Sequence, residues 1–143
     1  MIKGIDYTGV NVTFYCHDGQ ENYLFHKRSN RCRDEQGRWH CGGGGLKFNE
    51  TVEASVAREI QEEYGVAPIE IKFLGWAEVF REHEGNPTHW IAFQYRVLVD
   101  RHKVINNEPE KHEDLMWFKL DALPSPLHSQ VSMEIEKYKE FLI

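Results

Sequence analysis

At 143 residues the chain has the size of one domain, long enough to bury a single substantial core and too short for two. Seventeen basic against 23 acidic side chains leave a net charge of -6, the wrong sign for gripping long nucleic acid through its phosphates. Cys16, Cys32 and Cys41 have no C-x-x-C spacing, no apolar run of the signal-peptide kind opens the chain, and no stretch approaches the ~18 apolar residues of a membrane span; a reducing, cytoplasmic protein without a membrane partner is expected.

Val10, Val12, Phe14 and Cys16 alternate with Asn11, Thr13 and Tyr15, the period-2 pattern of a half-buried strand. Asp18-Gly19 predicts a hairpin that returns through Tyr23, Leu24, Phe25 and His26. Residues 28–38 turn polar and carry Arg28, Arg31, Arg33 and Arg38, either as a solvated loop or as cations offered to phosphate. Gly42, Gly43, Gly44 and Gly45 follow; without a Cβ they permit a sharp turn, a close approach to a ligand, or anion binding by backbone N–H groups. Leu46, Lys47 and Phe48 come next and exclude a P-loop.

Val52, Val56, Ile60 and Tyr64 recur every fourth residue and predict a helix over Val52–Tyr64. Thr51 is placed as its N-cap, Glu53 sits in the first turn where the macrodipole favours an anion, and Gly65 suits a left-handed C-cap. Beyond Pro68, residues 69–74 alternate as a strand continuing to Phe80, residues 85–88 form a turn, and residues 89–100 return as an antiparallel neighbour. A charged loop over 104–114 leads to a short strand over 115–120. Pro124 and Pro126 then introduce a helix with the stripe Leu127, Val131, Ile135, Tyr138 and Leu142. Strands on either side of one internal helix, with a second helix at the end, predict an α/β fold with a mixed β-sheet covered on both faces.

Glu59, Glu62 and Glu63 fall within roughly one 100° sector of the first helix, beside its apolar stripe. Like charges at these spacings repel by roughly 0.2–0.5 kcal/mol per pair, so helix stability gives no reason to gather them. A hard divalent cation does, since Mg2+ takes oxygen ligands and is commonly held by one or two carboxylates plus substrate phosphates. The pattern extends upstream: Gly44, Glu50, Arg58, Glu59, Ile60, Glu62, Glu63, Gly65 and Val66 spell G-x5-E-x7-R-E-U-x-E-E-x-G-U, with U aliphatic. With a background chance of roughly one in fifteen at each of the seven invariant letters, accident supplies this string on the order of once in 10^8 windows.

The string resembles the Nudix box, the signature of hydrolases that split a diphosphate bond in a nucleoside diphosphate linked to a further group. The resemblance covers residues 10–120 more loosely and implies a Nudix-like α/β/α sandwich, one domain over residues 1–143. It implies a Mg2+- or Mn2+-dependent hydrolase whose partner is a small nucleotide or nucleotide sugar. Glu59, Glu62 and Glu63 would be the metal ligands, Glu50 and Arg58 would pair to fix the loop against the helix, and Gly43 and Gly44 would lie at the ligand, with Gly44 allowing the turn. Cys41 departs from the proline usual before the glycines. Relatives of the MutT type commonly recruit another glutamate from outside the box; Glu110, then Glu113, is expected in that role, with Glu108, Glu82 and Glu84 as competitors.

Two rivals stand beside this reading. An RNA-end pyrophosphohydrolase wants a basic path, which only the arginines of residues 28–38 offer, and an inactive nucleotide sensor usually lacks box carboxylates, none of which is missing here. A homodimer is compatible with either. The eight histidines show no clean zinc spacing, and His40 and Cys41 with Cys32 want a fourth ligand, so no structural zinc is expected. Trp39 and Trp90 are expected in the core rather than stacked on a nucleobase.

Overall fold

A computed structural model describes residues 1–143. Its elements in chain order are β1 (Gly9–His17), β2 (Asn22–Arg28), β3 (Trp39–His40), β4 (Gly43–Gly45), α1 (Val52–Tyr64), β5 (Glu70–His83), β6 (Asn86–Leu98), β7 (His112–Lys119) and α2 (Ser129–Leu142). Helix α1 has the bounds and caps expected from the sequence. The Thr51 side chain accepts from the Ala54 N–H at 3.1 Å, and Gly65 ends the helix at φ 64°, a left-handed conformation that favours a residue without Cβ.

The sheet is mixed, with strand order β3-β2-β1-β6-β5. β1 runs parallel to β6 along its whole length, β5 and β6 form a long antiparallel hairpin, and β7 pairs with β2. The other edge of β1 changes partner: Asn11, Val12 and Thr13 face β4, and the strand reaches β2 only through His17 and Tyr23. That divide places Gly43 and Gly44 where two clefts meet.

One core lies under α1, where Val12, Phe14 and Cys16 meet Val56, Ile60 and Tyr64. Full burial of Val56 and Ile60 stabilises the fold by roughly 1.5–3 kcal/mol apiece. The second lies under α2, where Tyr15 meets Val131, Tyr138 and Leu142. The α/β class and the two-faced covering therefore stand. The half-buried reading of β1 does not: Tyr15 and Thr13 are buried as well, because α2 covers the face their alternation had assigned to solvent.

Other departures have local causes. β3 and β4 span two and three residues, too short for any periodicity to register. Of the four consecutive glycines only Gly42, at φ 113°, has a left-handed backbone; Gly43–Gly45 is extended and paired rather than a sharp turn. β7 begins at His112, ahead of the apolar run that signalled it, because β2 offers it an edge. Leu127 lies outside α2, which is capped by His128; it bridges instead to Trp39, itself a core residue. Trp90 packs beside Gly4 and Gly9 and lines a cleft. No helix is long and apolar enough to cross a membrane.

Candidate active site

Helix α1 sends its three box glutamates to one cleft of about 590 Å3, but to different depths. Side-chain exposure is 48% at Glu62, 13% at Glu59 and 9% at Glu63. The cause lies in the helical angle: Glu63 follows Val56 and Ile60 around the wheel, so it is drawn under the sheet edge, while Glu62 stays on the rim.

Arg58 organises the rim. Its guanidinium donates to Glu50 through Nε at 2.6 Å and Nη2 at 2.9 Å, a two-pronged fork that suits a carboxylate. Nη2 also donates to the Gly45 carbonyl at 3.0 Å, and Nη1 donates to Glu59 at 2.8 Å and reaches Glu62 at 3.3 Å. The contact between Glu50 and Arg58 is thus made and fixes the loop before α1 to the helix, while the bond to the Gly45 carbonyl ties β4 to α1. Arg58 holds the Glu50 carboxyl down at about 2, and Glu50 and then Glu59 hold Arg58 protonated.

Gly44 serves close approach. A Cβ built on it would overlap the Glu59 carboxyl, whereas one on Gly43 would overlap the backbone oxygen of Val12. Gly43 also donates its N–H to Glu63 at 3.2 Å. That is a weak compensation for a buried carboxylate. Burial first, then the nearby Glu59 and Glu108, push the Glu63 carboxyl well above the usual range. Burial also raises Glu59, against the pull of Arg58. Carboxylates crowded in this way, with too few cations, are the donor set that a divalent cation would neutralise.

The fourth glutamate at this cleft is Glu108; Asp34 lines it too, but its carboxylate is paired with Arg28 at 2.8 Å. Glu110, favoured from the sequence, and Glu113 do not line it. The loop after β6 caps the C-terminal end of α1: Ile105 N–H donates to the Tyr64 carbonyl, Asn107 N–H to that of Glu63, and the Asn107 amide to that of Glu62. These bonds satisfy carbonyls that a helix end leaves orphaned, and they carry the next residue, Glu108, to the cleft. The chain then turns, with Lys111 and His112 N–H groups donating to the Glu108 carbonyl, and Glu110 is left exposed. Glu113 pairs with Lys27 at 3.4 Å instead. Glu82 lines the neighbouring cleft and Glu84 sits in the β5–β6 turn.

Arg28, Arg31, Arg33 and Lys111 line the same cleft as the glutamates, so the basic segment does lead to the site. Glu35 pins that segment. Its carboxylate accepts from Ser129 N–H at 2.8 Å and from Ser129 Oγ at 2.9 Å, and meets Arg81 at 2.5 Å and His128 at 2.8 Å. Burial works to raise the Glu35 carboxyl, yet the Ser129 N–H and Arg81 win and hold it at about 2. Nothing in the polar composition of residues 28–38 singled out this anchor.

The site is thus a carboxylate cluster on a helix, packed on a mixed sheet of an α/β protein and facing a basic loop. A family model described as NUDIX domain matches residues 8–138, and the chain belongs to the Nudix family. A MutT NUDIX hydrolase from Burkholderia pseudomallei shares 31% identity, with 92% of this chain and 98% of that one covered at a TM-score of 0.78. The NUDIX domain of Shewanella oneidensis NrtR, solved with ADP ribose, shares 24% identity over 96% and 90% of the chains at a TM-score of 0.76. A MutT protein from Methanosarcina mazei Go1 shares 21% identity over 94% of each chain, also at 0.76.

Proposed function

We propose that this chain hydrolyses a diphosphate bond in a nucleoside diphosphate derivative, a nucleotide or a nucleotide sugar, with Mg2+ or Mn2+ held by Glu59, Glu62 and Glu63. The observation that carries the reading is the shared cleft: the three box carboxylates and Glu108 line it together with Arg28, Arg31, Arg33 and Lys111. The donor set suits a hard cation, because Glu63 is buried with a single backbone N–H as partner and no side-chain cation within bonding distance. Such a cation, when bound, polarises the phosphate and acidifies water.

The protein's own residues do the rest. Arg58 fixes the rotamers of Glu59 and Glu50, so the ligand carboxylate is set before substrate arrives. The arginines and Lys111 offer charge-assisted hydrogen bonds to the phosphate oxygens. Glu108 takes the proton of the attacking water as the oxygen bonds to phosphorus and the bridging P–O bond breaks, leaving two phosphate-bearing products. A base so placed is worth typically 10^2 to 10^4 in rate.

The test is a substrate panel with Mg2+: the canonical and oxidised (d)NTPs, ADP-ribose, nucleotide sugars and a 5′-triphosphate RNA, read by phosphate release after phosphatase coupling. Turnover of at least one nucleotide, abolished by chelator, supports the reading. Turnover confined to the RNA would favour the rival end-processing activity. Tight nucleotide binding without turnover would favour a sensor.

A further inference from the structure

Glu63 meets two histidines for which the hydrolytic reading has no task. His26 on β2 and His112 at the start of β7 are each 2% exposed, and Glu63 is 7% exposed. Their rings stack with centroids 3.8 Å apart. One nitrogen from each ring and one Glu63 oxygen lie within 4.8 Å of one another. Ligand atoms around a tetrahedral zinc stand about 3.4 Å apart, so His112 and Glu63, at 3.6 Å, are already near that spacing and the remaining approach is at most on the order of an ångström.

Hydrogen bonding leaves both rings with a nitrogen to spare. Tyr64 OH donates to the Cys41 carbonyl at 3.0 Å, which commits its proton. The 2.8 Å contact between that oxygen and His26 Nδ1 is therefore donated by Nδ1–H, and Nε2 is left as a bare lone pair. An imidazole whose second nitrogen is fixed by such a partner has the orientation and tautomer of a metal ligand. His112 is less occupied still. Its buried Nδ1 has no hydrogen-bond partner, and its Nε2 stands 3.6 Å from Glu63 Oε1, beyond hydrogen-bond range. No hydrogen bond opposes a small rotation of this ring.

We propose that His26, His112 and Glu63 form a site for a borderline transition-metal cation of the Zn2+ type, at the buried end of the cleft and distinct in chemistry from the all-oxygen Mg2+ site. Imidazole suits Zn2+ and its neighbours, whereas Mg2+ takes oxygen. Two histidines and a glutamate supply three protein ligands, and because all three residues line the cleft, a fourth position is open to water or to a substrate phosphate. Glu63 is common to both sites, so a transition metal bound here would compete with or modulate the hard cation. Binding the cation would displace any proton from Glu63, and the inference does not rest on the hydrolase reading.

The test uses the full chain, stripped with chelator and titrated with ZnCl2 and, separately, MgCl2. Calorimetry should find one Zn2+ site per chain, and long-range 1H–15N correlation spectra should show the His26 and His112 ring nitrogens shifting with Zn2+ and unmoved by Mg2+. His26→Ala and His112→Ala should each weaken Zn2+ binding by on the order of 10- to 100-fold or more, the loss that even second-shell changes can cause. Ring nitrogens unmoved at saturating Zn2+, or wild-type affinity in both variants, overturns the proposal. The wild-type spectra decide the matter even if a variant fails to fold. Zn2+ shifts that persist in a Glu59→Gln protein without turnover would show this site to be independent of the proposed hydrolysis.

Discussion

Gly44→Ala separates a glycine needed for chemistry from one needed for folding. The backbone at Gly44 is extended, so alanine itself fits there, and replacing glycine inside a strand gains roughly 0.5–1 kcal/mol. The new Cβ, however, would lie well inside 3.0 Å of the Glu59 carboxyl carbon and both its oxygens. Ordinary contact begins at 3.4 Å, so the carboxyl must retreat by about 1 Å and surrender its 2.8 Å bond from Arg58. Because it is the far end of a flexible side chain, the retreat costs only about 0.5–1.5 kcal/mol if the rotamer is displaced. The two effects nearly cancel, and the melting temperature should stay within ~4 °C of wild type. Catalysis should not be spared, since a 1 Å misplacement costs about 10^2-fold in rate, or ~2.7 kcal/mol of barrier. At Gly43 the obstacle is the backbone oxygen of Val12, which cannot give without breaking the β1–β4 pairing. Gly43→Ala should therefore lose about 1–3 kcal/mol of stability by overpacking. Urea unfolding and Mg2+-dependent turnover of the best panel substrate measure both. Gly44→Ala with turnover within threefold of wild type, or unfolding as readily as Gly43→Ala, would refute the account.

Four further outcomes follow from the same geometry. Glu63→Gln keeps an acceptor for the Gly43 N–H and removes a poorly compensated buried charge, so stability should hold or rise while turnover falls by at least ~10- to 100-fold; full turnover would remove Glu63 from the site. Glu108→Gln should cost at least ~10^2-fold in kcat at saturating Mg2+ and Glu110→Gln almost nothing, and the reverse order would reinstate the loop residue that the turn carries outward. Arg58→Ala should lower melting temperature and activity together, because the same guanidinium ties β4 to α1 and sets Glu59; activity lost with unchanged melting would point to direct phosphate contact instead. Burial, then Arg96, lowers His17 to about 4 from 6.5, so the unfolded chain binds its proton more readily. Its contribution to stability is present above pH 6.5 and is lost as pH falls from 6.5 through 4. Urea midpoints for His17→Gln should fall less steeply over that window, and a slope equal to wild type would contradict this.

The local parts of the molecule were legible in the chain itself. Helix α1 was readable to the residue, because its apolar stripe, Thr51 cap and Gly65 terminus all act within a few positions of one another. So was the contact of Glu50 with Arg58, which spans eight residues from the loop before α1 into the helix itself. The hairpins and the final helix were placed with errors at their ends, where neighbouring strands or a cap decide the boundary.

Tertiary structure alone decided what depended on distant partners. Periodicity reports that two faces of β1 differ, but only the packing of α2 buries Tyr15 on the second. Glycine permits both a turn and a close approach, and only the arrival of Glu59 opposite Gly44 selects the latter. Glu108 and Glu110 are two residues apart in one polar loop; the orphaned carbonyls at the end of α1 capture Asn107, and so Glu108 lines the cleft while Glu110 does not. His26, Glu63 and His112 are separated by dozens of residues, with no spacing rule to connect them, and they meet because β7 pairs with β2 beside the end of α1. Spacing within one element is fixed by bond geometry and can be read from the chain, whereas a site assembled across elements exists only after burial has brought them together.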